Sequence, residues 1–161
     1  MSKVVGDGAD ATMYLKKAHD YFICSGEHDE AAKVNIEIAF LYAGKDIKIS
    51  FEYLDKASKL SVIDPRKNAL IKLQVSKLHA GQLIKHKRFK DAFDLLKPQI
   101  DHFSEYRGFE LELADVINII ILAADELGLI DNVSELKKLL ADVESDISNK
   151  DYFDRKLIAE A

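Results

Sequence analysis

The sequence predicts an all-α protein made of antiparallel helical hairpins stacked on one another. Three observations lead there. Apolar residues recur at spacings of three and four along most of the chain, the period of a helix with one buried face. The 161 residues include only two prolines and seven glycines, few for a β-sandwich, which needs a turn signal every ~8–12 residues. Val, Ile and Thr nowhere alternate with polar residues for long, as a half-buried strand requires.

Residues 1–10 are small, polar and glycine-bearing and are expected to form a loose tail, ahead of a single helical domain over residues 11–161. The first helix is placed at about Ala11 to Ser25, with Tyr14, Leu15, Ala18, Tyr21 and Phe22 on its stripe and Gly26 ending it. The second runs from about Asp29 to Ala43, its apolar surface including Ala31, Ala32, Ile36, Ile38, Ala39 and Tyr42, with Gly44 behind it. Asp46 is suited to cap a third helix, about Ile47 to Val62, because its carboxylate accepts from free amides of the first turn. Asp64-Pro65 marks the next boundary, since proline fits a first helical position whose N–H has no partner. The fourth helix then extends to about Lys85.

After a turn at His86 to Arg88 comes a fifth helix, about Phe89 to Phe103. Pro98 inside it predicts a kink or a lost backbone bond near Asp94 and Leu95. The sixth covers about Phe109 to Leu127, between Gly108 and Gly128. Asp131-Asn132 is expected to cap a seventh, about Val133 to Ile147, and a short eighth segment, Tyr152 to Ala159, to cover the end of the stack.

Composition narrows the function. Apolar residues make up 48 % of the chain, a globular value, and the formal net charge is −5. An acidic balance provides no attraction to nucleic acid or anionic lipid, so neither is expected as a partner. The basic cluster His86, Lys87, Arg88 and Lys90 reads as a solvated turn. The single cysteine, Cys24, rules out an internal disulfide. It ends the run Tyr21-Phe22-Ile23 and reads as a small buried hydrophobe rather than a nucleophile. No secretory leader pattern or membrane-spanning run is recognisable, which points to the cytoplasm.

Catalytic and cofactor motifs are missing. There is no GxGxxG, GxxxxGK[ST], CxxC or HExxH. Glu27-His28-Asp29 has ligand types but no fourth partner nearby, and reads as a solvated turn. His79 falls on an apolar stripe and reads as a core histidine. The chain is therefore expected to be non-catalytic, with no cofactor and no metal.

A repeated design supports stacking. Ala39, Ala80 and Ala124 recur 41 and 44 residues apart, each followed three positions later by a large residue: Tyr42, Leu83 and Leu127. A turn and a second helix follow, with Ser50 and Leu54, Ala92 and Leu96, or Leu136 and Leu140. Small residues let two helices of a hairpin approach closely, and a hairpin that cannot bury both faces must stack. Tyr14, Ala18, Tyr21, Gly26 and Ala31 imitate the same design out of phase. The three later copies favour reading the first helix as an N-terminal cap.

These residues resemble a degenerate tetratricopeptide repeat, over about Lys33 to Glu144. Ala39-x2-Tyr42, Ala92-x3-Leu96 and Pro65 carry the likeness. The chain has no tryptophan, alanine replaces the repeat's glycine, and the spacing exceeds the usual ~34 residues. The resemblance implies a right-handed superhelix of about eight helices whose leading helices line a concave, ligand-holding face. Asn35, Lys77 and Asn118 are the polar residues expected there, with Tyr42, Gln74 and Asp125 as companions. Asn118 interrupts the apolar run Val116 to Leu122, where an unpaired buried amide would cost roughly 1–3 kcal/mol. It either grips a bound peptide backbone or bonds to a neighbouring helix. The expected function is a protein- or peptide-binding scaffold. The alternative, by likeness to peptide-sensing regulators of Gram-positive bacteria, is a sensor domain for a short signalling peptide or small effector. Exposed ends of such a stack can also pair, so a homodimer is compatible with the pattern.

Overall fold

The computed structural model describes residues 3–103 and 108–148, with side chains from residue 10 onward. All regular secondary structure among them is α-helical. The helices are α1 (Lys3–Cys24), α2 (His28–Tyr42), α3 (Ile47–Leu60), α4 (Pro65–Lys85), α5 (Phe89–Phe103), α6 (Glu110–Glu126) and α7 (Ile130–Ser148). No strand occurs among the described residues, and none of these helices is long and apolar enough to cross a membrane. The expected eighth segment lies outside the described residues. The chain forms two compact units, Met1–Asp64 and Pro65–Ala161.

In the first unit α2 packs between α1 and α3. Its buried residues, among them Ala31, Asn35, Ile38 and Ala39, therefore serve two neighbours. Against α3 the approach is close: Ser50 is wholly buried and its hydroxyl donates to the Ala39 carbonyl at 2.7 Å. Asp46 caps α3 as expected, its carboxylate accepting from the backbone amides of Lys48 at 3.1 Å and Ile49 at 3.2 Å.

α1 differs from the sequence reading. It begins at Lys3 rather than near Ala11. Gly6 and Gly8 each cost about 1 kcal/mol in a helix, but no proline forbids one. None of its side chains from Asp10 to Cys24 is fully buried, because α2 is the one helix against which α1 packs extensively. Tyr14 and Tyr21, expected on the buried stripe, are exposed. Cys24, expected inside, is exposed at the last residue of the helix.

In the second unit α5 packs on α4 and α6, while α6 touches α4, α5 and α7. Surrounded on three sides, α6 buries Leu113, Val116, Ile117, Ile120, Ala123 and Ala124 among others. Phe103 and Phe109 join the ends of α5 and α6, with ring centroids 5.5 Å apart. Pro65 opens α4 as expected. α5 runs unbroken through Pro98. Proline has no N–H for the Asp94 carbonyl. Beside that gap, the Gln99 side-chain amide donates to the Leu95 carbonyl at 3.1 Å and to the Ser76 hydroxyl at 2.7 Å.

Three turns share one backbone pattern. Gly26, Lys87 and Gly128 take φ of 74°, 59° and 72°. In each case the following amide reaches back across the helix end: Glu27 to the Phe22 carbonyl, Arg88 to Leu83 and Leu129 to Ala124, at 2.8, 2.8 and 3.0 Å. This closure satisfies carbonyls that the helix end leaves open. It also launches the next helix, since Glu27, Arg88 and Leu129 then accept from Ala31, Ala92 and Val133. α7 consequently starts at Ile130, ahead of the expected Asp131-Asn132 cap.

The turn pattern groups α1/α2 with α4/α5 and α6/α7. The small buried pair Ala39 and Ser50 instead groups α2/α3 with α4/α5, where Ala80 and Ala92 are both wholly buried. The two phases in competition along the sequence are thus both present, on opposite sides of α2.

Candidate functional site

The best-defined candidate surface lies in the second unit, on the face shared by α4 and α6. The Lys77 ammonium donates to the Asp115 carboxylate at 3.2 Å, tying the two helices together across 38 residues of sequence. Along α6, Leu111, Asp115, Asn118, Leu122 and Asp125 follow at alternating steps of four and three, and all five are exposed. That spacing places them on one stripe. Along α4, Lys67, Gln74, Leu78, Gly81 and Lys85 fall on the flank beside Lys77 and are exposed as well.

Apolar exposure stands out on this face. Leu78, Leu111 and Leu122 are 51 %, 44 % and 48 % accessible. Single exposed leucines are ordinary, but three around one interhelical ion pair form a patch. Charge is segregated too. α4 carries Arg66, Lys67, Lys72, Lys77 and Lys85 and no acid, whereas α6 carries Glu110, Glu112, Asp115, Asp125 and Glu126 and no base.

The residues expected at the site fall into two groups. Gln74, Lys77, Asn118 and Asp125 all belong to this α4/α6 face. Asn118 is exposed rather than buried in its apolar run, and its amide donates to the Ala114 carbonyl of its own helix at 3.1 Å. It therefore neither bonds to a neighbouring helix nor carries a burial penalty. Asn35 and Tyr42 are in the first unit. Asn35 is only 1 % accessible, and its Nδ2 has no hydrogen-bond partner. It is an internal residue of α2. Half-buried Tyr42 stacks on Tyr53, with parallel rings 6.0 Å apart at centroids.

Sequence reasoning missed Asp115 and the three exposed leucines. The opposite charges of α4 and α6 were readable in the sequence, because charges of a single sign along a whole helix are visible without coordinates.

Elsewhere the first unit has an apolar groove between α1 and α2, lined by Ala11, Tyr14, Leu15, Phe40, Leu41 and Glu37. The Glu27-His28-Asp29 turn is fully exposed. His79 is half-buried, with Nδ1 enclosed and lacking a partner. Among the described residues no group of three or more His, Cys, Asp or Glu side chains is placed to hold a metal ion. In the basic turn Arg88 pairs with Asp91 at 2.8 Å and Lys90 with Asp94 at 3.1 Å.

No protein-family model, no curated protein and no solved structure matches this chain, so the reading of the site rests on its geometry.

Proposed function

We propose that the chain is a non-catalytic binding scaffold, a tetratricopeptide-like stack that presents the α4/α6 face to another protein. The observation that carries this is the exposed patch of Leu78, Leu111 and Leu122 around the Lys77–Asp115 pair. Apolar anchors beside a few fixed polar groups suit recognition of a protein surface. The stack is supported by the recurring positive-φ turns and by α4 reaching past α5 to touch α6. In a repeat array that skip contact is the one between successive leading helices.

The test is partner capture with the wild-type chain and with Leu122→Glu and Asn118→Leu beside it. Both positions are exposed, so both variants should fold, and circular dichroism checks that they do. A partner retained by the wild type and lost with Leu122→Glu, then shown to rebind when purified, is the expected result. A partner bound equally by all three proteins would place its binding elsewhere and remove this face from the function.

A further inference from the structure

We infer that the occupant of the α4/α6 face is a second copy of the same face, forming a two-fold symmetric dimer. The inference rests on reading that face as a binding surface, and it names the partner. Two short connections reverse the chain twice, so α6 returns in the direction of α4. The Lys77–Asp115 pair sets the two helices level with one another.

From that level Lys85 lies eight residues further along α4, and Asp125 and Glu126 lie ten and eleven further along α6. At the helical rise these are heights of about 12 and about 15 Å on the same side of the pair. None of these three side chains has an ion-pair partner among the described residues. A basic row stands beside an acidic row, with leucines between them.

A partner for such a face needs the mirror arrangement, acid over α4 and base over α6. A second copy provides it when the two-fold axis runs between the helices and along them. That operation lays α4 of one copy over α6 of the other without changing level. Lys85 then meets the second copy's Asp125 and Glu126 twice, once on each side of the axis, and the leucines of both copies meet in the middle. Self-complementarity of this kind is what an isologous interface requires. The face is modest. A helix of this length and two helix widths present roughly 500 Å² per copy, at the low end for specific association. The dimer is therefore expected to be weak, and it weakens with salt because its charges are exposed.

The experiment is sedimentation velocity of the full chain from about 1 to about 300 μM, a range that reaches weak association. Three proteins are compared: wild type, Lys85→Glu, and Asp125→Lys/Glu126→Lys. The wild type should dimerise over this range, while each reversal alone puts like charges together on both sides of the axis. Either variant alone should bind itself at least about tenfold more weakly. Mixed in equal amounts the two variants should recover dimer, because every reversed α4 then faces a reversed α6 and every native α4 a native α6.

A dimer indifferent to both reversals, or variants that fail to pair when mixed, would overturn the assignment. So would a wild type that stays monomeric throughout. If that monomer still captured a foreign protein through Leu122, the binding face would stand and only the second copy would be withdrawn. A monomer that captured nothing would remove both.

Discussion

α1 and α6 are both long, apolar-striped helices, yet the molecule uses them differently. α6 is packed by three neighbours and buries side chains on most of its circumference, leaving one narrow exposed stripe. α1 is packed by one neighbour and buries no described side chain completely. Periodicity makes both helices, but the number of neighbours decides how much each contributes to stability. Burial of apolar area is worth about 25 cal/mol per Å², so a residue enclosed on all sides counts far more than one covered on a single side. The second unit should accordingly hold its core more tightly around α6 than the first holds α1.

The sharpest way to break that comparison is to empty each helix in turn. Ile117 is wholly buried in α6, and Ile117→Ala should lower stability by about 3 kcal/mol or more through lost contacts and a residual cavity. Phe22→Ala in α1 removes a larger side chain from a half-buried position. It should cost less, roughly 1–2 kcal/mol, because the side chain is only partly buried and water can refill the space it leaves. Urea denaturation of both variants measures the difference, and hydrogen exchange should find α1 amides opening well before those of α6. Equal losses at the two positions would mean that α1 is far better covered than its exposure indicates.

A smaller effect with the opposite sign is expected at Asn35, where the first unit encloses an amide whose Nδ2 is unpartnered. A buried donor without an acceptor carries roughly 1–3 kcal/mol of desolvation cost. Asn35→Leu keeps the branching and heavy-atom count and removes the donor, so it should stabilise the chain by about 1 kcal/mol, seen as a higher urea midpoint with an unchanged slope. Destabilisation would show that the amide is doing structural work through its oxygen. The same substitution at exposed Asn118 should leave stability within about 0.5 kcal/mol of wild type.

The contrast between these two asparagines also marks how far the sequence could be read. Helix positions followed from periodicity, apart from the start of α1. Asp46, Pro65 and Gly26 marked boundaries because their backbone chemistry suits few other places. The apolar run around Asn118 suggested burial, but an apolar run gives the width of a buried surface without saying which direction has no neighbour. With α4, α5 and α7 covering the rest of α6, the remaining open direction is the one Asn118 occupies. Asn35 is enclosed for the converse reason: α2 serves two neighbours, so its polar position falls inside. The start of α7 was missed because Asp131-Asn132 offers good cap chemistry, while Gly128, three residues earlier, had already closed the previous helix. Lys87 was not legible at all, since nothing in its identity signals a left-handed backbone.

That last residue supplies the finest test of the repeated turn. Gly26, Lys87 and Gly128 hold equivalent positions, yet only Lys87 carries a Cβ into positive φ, at a cost of about 1–2 kcal/mol. Part of this is offset because glycine loses more backbone freedom on folding. Lys87→Gly should therefore stabilise the second unit by roughly 0.5–1 kcal/mol. Gly128→Ala should cost about 1 kcal/mol through backbone strain, even though an added Cβ there would meet no atom within 4 Å. Opposite shifts of the thermal midpoint in the two variants would establish that backbone conformation, not crowding, sets the preference at these turns. Shifts of the same sign would mean that Lys87 is held by its side chain, and that the three turns match in hydrogen bonds without sharing the same energetics.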